Sequence, residues 1–549
     1  MKSRLHRLEI RNFKAFREFA LNLEGRHLLV YGANGAGKSS LYWALYTFLQ
    51  SARKATPDVA KYFDPSHPLR LLNTYEEAEA NPKPGEIVLT LRDTATQIDT
   101  TYPISQANHG TRQQPAILKG DLASDFITYR FFFGFSHFRN SEKFNLWPLF
   151  EKEILPFCVS TGGQVPSDCW NSIKSGVPNP SAYKGLAGTY AYDRFIADTN
   201  TFAGILPGIV GSISTEAQKF YDKHFSAGDP APITLKLGVT TPPSYHFDSR
   251  TFTIPVIEFG IQVPGRDITR PQSFLNEAKL TQLALSVRFA ASLVNLHDSD
   301  LKLLVLDDLL VSLDMSNRMK VVEILLSSTF ANYQKIILTH DFGFFREFAR
   351  TVGVRHADWM IVRLEGIPST TITCKPEKTD LQKAEDYLHG HNLDEAAVCL
   401  RKVVEDTVVR YLKPEVVPTK DYVTLTNHLR AARNKLLEKL PTQLYYKILN
   451  ETPTALRGHL IAVVDDDVDG IAGLSQGDRD TLKAQRGKLR TLLTNNQWMA
   501  IENAELIEEV LRTNERVLNA GAHVGQNPLY TAEVQKAVDL IGKLEKCLA

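Results

Sequence analysis

The strongest constraint on this chain lies in ten residues, Tyr31-Gly32-Ala33-Asn34-Gly35-Ala36-Gly37-Lys38-Ser39-Ser40. They fill the pattern G-x-x-x-x-G-K-[ST] at every fixed position, from Gly32 through Gly37 and Lys38 to Ser39. An apolar run, Leu28-Leu29-Val30, precedes the loop as a buried strand does, and Leu41, Trp43, Ala44, Leu45 and Phe48 follow at helical spacing. Strand, glycine loop and helix in that order predict an α/β fold built around a phosphate-binding turn. The glycines let successive backbone N–H groups and the helix N-terminus converge on an anion. Asn34, Gly35, Gly37 and Ser40 complete the candidate nucleotide contacts, Lys38 is placed to reach the β/γ-phosphates, and the Ser39 hydroxyl suits Mg²⁺. ATP and Mg²⁺ are the expected ligands.

The chain's length of 549 residues predicts two to four domains, at about 150 residues each. Its 63 basic and 62 acidic residues nearly cancel, so bulk charge neither demands nor excludes a nucleic acid. Cys158, Cys169, Cys374, Cys399 and Cys547 show no C-x-x-C spacing, which argues for reduced thiols and against a zinc site or disulfide framework. Met1–Arg7 lacks the apolar core of a signal peptide, and no run approaches a membrane span. A soluble cytoplasmic chain is the expectation.

Residues 5–24 read as two short strands around Asn12-Phe13-Lys14-Ala15-Phe16. Residues 51–85 are proline-punctuated loop, and 86–91 and 100–104 alternate like edge strands of an antiparallel subsheet. From 141 to 228 the pattern loosens, with a helical stretch from Tyr192 to Phe220 and no sustained heptads, so a compact helical insertion is expected. Residues 233–237 and 254–261 read as strands returning to the same domain. An apolar helix opens near Asn276, which can cap it. The strand Leu301–Leu306 ends in Asp307 and Asp308, a position suited to a Mg²⁺-associated acid, and Lys335–Thr339 is a buried strand ending in His340. Residues 377–549 are helical, beginning with a helix pair joined at Gly390. The run Asp465-Asp466-Asp467 lacks the glutamate that an EF-hand requires.

From Leu8 to Leu45 the chain resembles SMC/RecF-type ATPases of the ABC class, in which a strand, an NF-x-x-F turn and a second strand lead into the phosphate loop. The order of the later motifs extends the resemblance over about residues 270–365. Leu275-Asn276-Glu277-Ala278 stands where the signature LS-G/E-G-E/Q falls, with Asn276 for the serine and Ala278 for the glycine. Ser312-Leu313-Asp314 stands where the D-loop falls, and Asp307-Asp308-Leu309-Leu310-Val311-Ser312-Leu313-Asp314 resembles the DDPxSSLD form found in bacterial defence ATPases, with Leu309 replacing its proline.

The resemblance implies an ABC/SMC-type head, a mixed sheet with an antiparallel subsheet, that takes up residues 1–140 and 229–376. A compact insertion at 141–228 replaces long coiled coils, and an all-α domain follows at 377–549. It implies ATP hydrolysis, with Asp307 and Ser39 at Mg²⁺, Asp308 polarising the water one methylene short of the usual glutamate, and His340 at the γ-phosphate. It also implies a homodimer or higher oligomer, in which Asn276 and Asp314 act across the interface. Where relatives carry a glutamine at Mg²⁺, this chain has Ser136, His137 and Asn140, of which His137 is the candidate substitute.

Among ABC-class relatives the chain is similar to the PtuA-like ATPases of Septu and Septu-containing retron systems in anti-phage defence. That similarity implies a separately encoded HNH-type nuclease partner, a retron reverse transcriptase with its nucleic acid, and contact with DNA or RNA. Two alternatives stand beside it. Arg516 and His523, with six residues between them, resemble the pair of HEPN ribonucleases and would make the chain its own nuclease. A RecF-like DNA repair ATPase is the other.

Overall fold

A computed structural model describes residues 3–131, 135, 142–159, 165–178, 189–227, 229–294, 299–309, 315–352, 357–412, 424–438, 447–459, 468–494, 498–519 and 528–548. The chain divides into two compact units, Met1–Glu377 and Lys378–Ala549.

In the first unit, alternating burial along β1 (Ser3–Phe13) fixes which face meets the core. β1 pairs antiparallel with β2 (Phe16–Asn22) and β4 (Glu86–Asp93), and β4 pairs in turn with β5 (Asp99–Ser105). The second sheet runs β16-β15-β3-β14-β13-β6, comprising β3 (His27–Gly32), β6 (Asp125–Thr128), β13 (Leu303–Asp307), β14 (Gln334–Thr339), β15 (Trp359–Glu365) and β16 (Thr373–Pro376). All its neighbours are parallel except β15 and β16. Both faces of its centre are covered. Leu28 and Val30 join the core formed with the helix Lys38–Ser51 and the antiparallel sheet, while Leu29 joins the opposite core with the helices Glu277–Val294 and Phe342–Val352.

A third sheet joins β7 (Phe144–Asn145), β8 (Thr234–Thr241), β11 (Val256–Val263) and β12 (Arg266–Ile268), and β9 (Ser244–His246) pairs with β10 (Thr251–Thr253). Beside it lies a 35-residue helix, Tyr190–His224. Its buried residues Phe195, Thr199, Phe202, Leu206, Val210, Ile213, Ala217 and Phe220 recur every three or four positions, so one stripe faces the chain's own core. Pro207 falls on the exposed side. This single helix, about 50 Å long at 1.5 Å per residue, is longer than the stretch from Tyr192 to Phe220 read from periodicity.

One strand expectation is corrected, one is refined by its pairing, and one strand went unmarked. Residues 86–91 are not an edge, because β4 is paired on both sides. The strands expected at 233–237 and 254–261 pair with each other and with Phe144–Asn145 in a sheet of their own. β6, unmarked in the sequence because it is only four residues long, closes the parallel sheet beside β13.

In the second unit every regular element among the described residues is a helix. Thr379 and Gln382 form a reciprocal capping box that starts Asp380–His389, and the helix Leu393–Leu412 packs back against it after Gly390. Among the described residues no helix is long and apolar enough to cross a membrane. The five cysteines are free thiols.

Candidate nucleotide-binding site

Strand order creates the site. β3, β14 and β13 are consecutive neighbours and parallel, so their C-terminal ends place the glycine loop, His340 and the Asp307-Asp308 pair along one edge. Ligands of open α/β sheets bind outside such an edge.

The loop is shaped by Gly35 and Gly37, whose φ angles of 85° and 98° lie in the left-handed region. At Gly37 a Cβ would also come within 3.0 Å of the Phe16 ring. The helix Lys38–Ser51 starts directly at Gly37 with no side-chain cap and no acidic residue in its first turn. Its first N–H groups therefore keep their capacity for an anion. Ala33, Asn34 and Gly35 are exposed at the tip.

Lys38 is 5 % exposed, and its Nζ donates to the carbonyls of Gly32 at 2.8 Å and Ala33 at 3.3 Å. Burial lowers its pKa, against the opposing pull of Asp308 and Asp307. The ammonium thus lies folded on the loop whose phosphate it is placed to meet. Ser40 faces away. Its hydroxyl is buried and accepts the Ala15 N–H at 3.2 Å, which ties the loop helix to the β1–β2 turn. In that turn Asn12 accepts the Asn73 N–H at 2.9 Å and donates to the Lys83 carbonyl at 2.7 Å.

Asp307 is 7 % exposed. Burial first, then the neighbouring Asp308 charge, pushes its pKa up to about 6, while a hydrogen bond with Ser39 and the charges of Lys38 and His340 pull the other way. Its Oδ1 is buried and has no hydrogen-bond partner among the described residues. An orphaned carboxylate oxygen beside a serine hydroxyl fits a hard cation. Among the described residues no cluster of three or more His, Cys, Asp or Glu is placed to hold a metal ion.

Asp308 adopts φ 52°, an uncommon left-handed conformation for a residue with a side chain, and its N–H donates to the Leu338 carbonyl at 3.0 Å. Its Oδ1 accepts the His340 N–H at 2.9 Å. The His340 Nδ1 also lies 2.9 Å from that oxygen but makes no hydrogen bond to it, so the backbone bond is the directional one. The two residues expected to act on water and on the γ-phosphate therefore hold each other.

Asn276 caps the helix Glu277–Val294 by accepting the Lys279 N–H at 2.8 Å, and it stands exposed beside Phe274. Its side-chain bond thus lies within its own turn. Asp314, Ser136, His137 and Asn140 lie outside the described residues. So do Asp465, Asp466, Asp467 and His523, while Arg516 is bound to Glu533 at 2.9 Å and to the Pro528 carbonyl at 3.2 Å.

Sequence reasoning missed two supports. Arg288 and Asp125, both buried, form a bidentate pair at 2.7 and 2.5 Å between the helix Glu277–Val294 and β6, and Ser292 also bonds the carboxylate. An arginine in an otherwise apolar helix was the available signal. Asn317 donates to the Ala278 carbonyl at 3.2 Å and accepts from Gln282 at 2.8 Å, a link with no local signature.

A phosphate loop, an acid pair with its first member buried and a strand-end histidine on adjacent parallel strands, with an antiparallel subsheet alongside, define an ABC-type ATPase head. The chain belongs to the RecF/RecN/SMC N terminal domain family, whose model matches residues 4–362. Among solved structures it is similar to the Smc head domain of Pyrococcus furiosus, with an extended coiled coil and bound to the C-terminal domain of ScpA. That match has 13% identity and a TM-score of 0.38, over 71% of this chain and 100% of the other. It is also similar to the recombination mediator RecF with ATP, at 13% identity and TM-score 0.41, over 68% and 99%. No curated protein matches the chain.

Proposed function

We propose that this chain binds and hydrolyses Mg·ATP as a head that dimerises around two nucleotides, and that the closed dimer controls a separately encoded effector nuclease in anti-phage defence. The observation that carries the ATPase reading is the Lys38–Ser39–Asp307–Asp308–His340 array at the ends of three adjacent strands. Lys38 leaves the Gly32 and Ala33 carbonyls to meet the β/γ-phosphates, and the uncapped helix N-terminus supplies backbone donors. Ser39 and Asp307 would hold Mg²⁺, which supplies neutralisation of developing phosphate charge. Asp308 orients water once His340 turns to the γ-phosphate, so hydrolysis requires their mutual contact to open. Asn276, which is exposed, approaches the nucleotide of a second copy.

That sequence favours slow turnover and a long-lived ATP state, suited to signalling. The defence assignment draws on the double aspartate and on an insertion folded onto its own core in place of long arms. The test is light-scattering mass against ATP for the wild type and for Asp308→Ala. A dimer that forms with Mg·ATP, decays in the wild type and persists in Asp308→Ala supports the reading, whereas a monomer under all conditions overturns it. The effector assignment fails if Lys38→Ala cells resist phage as well as wild-type cells do, or if no HNH-type nuclease co-purifies.

A further inference from the structure

The first turn of the helix Glu277–Val294 is anchored by residues just beyond the C-terminal end of the long helix Tyr190–His224. Lys279, whose N–H is the one capped by Asn276, sends its ammonium to Asp229 Oδ1 at 2.5 Å and to the Phe225 carbonyl at 3.4 Å. Tyr221, fully buried near the end of the long helix Tyr190–His224, donates its hydroxyl to the other Asp229 oxygen at 2.6 Å. The Tyr221 ring lies 5.4 Å from the Lys279 ammonium, close enough for a cation–π contact. The side chains of Lys279 and Asp229 are 20 % and 7 % exposed, so the pair is shielded from the screening that weakens surface pairs.

We propose that Lys279, Asp229 and Tyr221 form a positioning clamp through which the insertion helix sets the orientation of the Asn276 turn, and so the rate at which a second head's nucleotide is hydrolysed. One side chain provides both ends of the link. Asn276 is oriented by the Lys279 backbone, and Lys279 is held by Asp229. The Asn317 bond to Ala278 pins the same turn from the helix Met315–Leu326, so the turn is fixed on two sides and rotates only if one of them yields. Anything that shifts the C-terminal end of Tyr190–His224 therefore moves Asn276.

The clamp rests on the ATPase reading above, and its consequence is a change in turnover without a change in nucleotide affinity, because the phosphate loop is not part of it. A misplacement of about 1 Å costs on the order of 10- to 100-fold in rate. Lys279→Met, Lys279→Arg, Asp229→Asn and Tyr221→Phe are compared with the wild type for kcat and KM, for the affinity of a fluorescent ATP analogue, and for melting temperature. Expected are a kcat at least about tenfold lower in Lys279→Met with affinity within about twofold, a smaller loss in Tyr221→Phe, and recovery of most turnover in Lys279→Arg. A purely structural role would lower melting temperature while leaving kcat per folded molecule unchanged, and that result overturns the clamp. If Lys279→Met does not fold, Tyr221→Phe, which removes one hydroxyl, decides by the same criterion. Wild-type protein without ATPase activity refutes the ATPase reading itself. An active wild type with Lys279→Met and Tyr221→Phe at full turnover refutes only the clamp.

Discussion

Replacing Asp307 by asparagine should stabilise the nucleotide-free protein while removing its response to Mg·ATP. The carboxyl titrates at about 6 in place of 3.8 because it is buried beside Asp308. A shift of about 2 units corresponds to about 3 kcal/mol between the protonation states. An acid whose pKa is raised in the folded state contributes its stabilising term below about 3.8 and loses it as pH rises through about 6, because the folded protein holds the proton more tightly than the unfolded chain. At pH 8 the wild type therefore carries the full cost of a buried charge, which Asn lacks. Asn retains a polar oxygen where Asp307 Oδ1 has no partner, so we expect about half the gain, roughly 1.5 kcal/mol. With an unfolding entropy of about 2.1 cal/mol/K per residue over Met1–Glu377, that is about 2 °C in melting temperature. The difference should open between about pH 4 and pH 6 and stay level above. Saturating Mg·ATP, at about 100 times its Kd, should add about 2.7 kcal/mol to the wild type and little to the variant, reversing their order. Scanning calorimetry at several pH values, with and without Mg·ATP, measures both effects. A variant that melts at or below the wild type at pH 8 without nucleotide, or an advantage unchanged from pH 4.5 to 8, would refute the reasoning.

Lys38→Ala should weaken ATP binding by at least about 10-fold, because the buried ammonium is the charge placed to meet the β/γ-phosphates; titration calorimetry with wild-type affinity would remove Lys38 from the site. Asp308→Ala should bind ATP normally and turn it over at least about 100-fold more slowly, read as phosphate release in a single turnover. Asp125→Asn should cost about 3–5 kcal/mol in urea unfolding, since it leaves the Arg288 guanidinium buried beside a neutral group. The double replacement Asp125→Leu with Arg288→Met should recover most of that loss, and equal losses would mean that the pair is not the main support between β6 and the helix Glu277–Val294.

Much of the site is written in short windows. Loop conformation, strand burial and helix start are local properties, so Gly35, Gly37, Lys38 and Ser39 stand out as candidates within ten residues, and Asp307 and His340 at the ends of two apolar runs. The insertion's lack of heptads pointed away from long arms for the same reason, although periodicity alone understated the helix, whose added residues, 190–191 and 221–224, lie at its two ends. Local windows do not encode which strands become neighbours. The order β3-β14-β13, set by packing apolar faces into two cores, decides that the loop, His340 and Asp307 share one edge. Tertiary structure likewise decides that Asp308 holds His340, that Ser40 serves the β1–β2 turn, and that Lys279 reaches Asp229 fifty positions away. Each of these is a contact between groups far apart in the chain, and its energy exists only once burial has removed the water that would otherwise satisfy both partners.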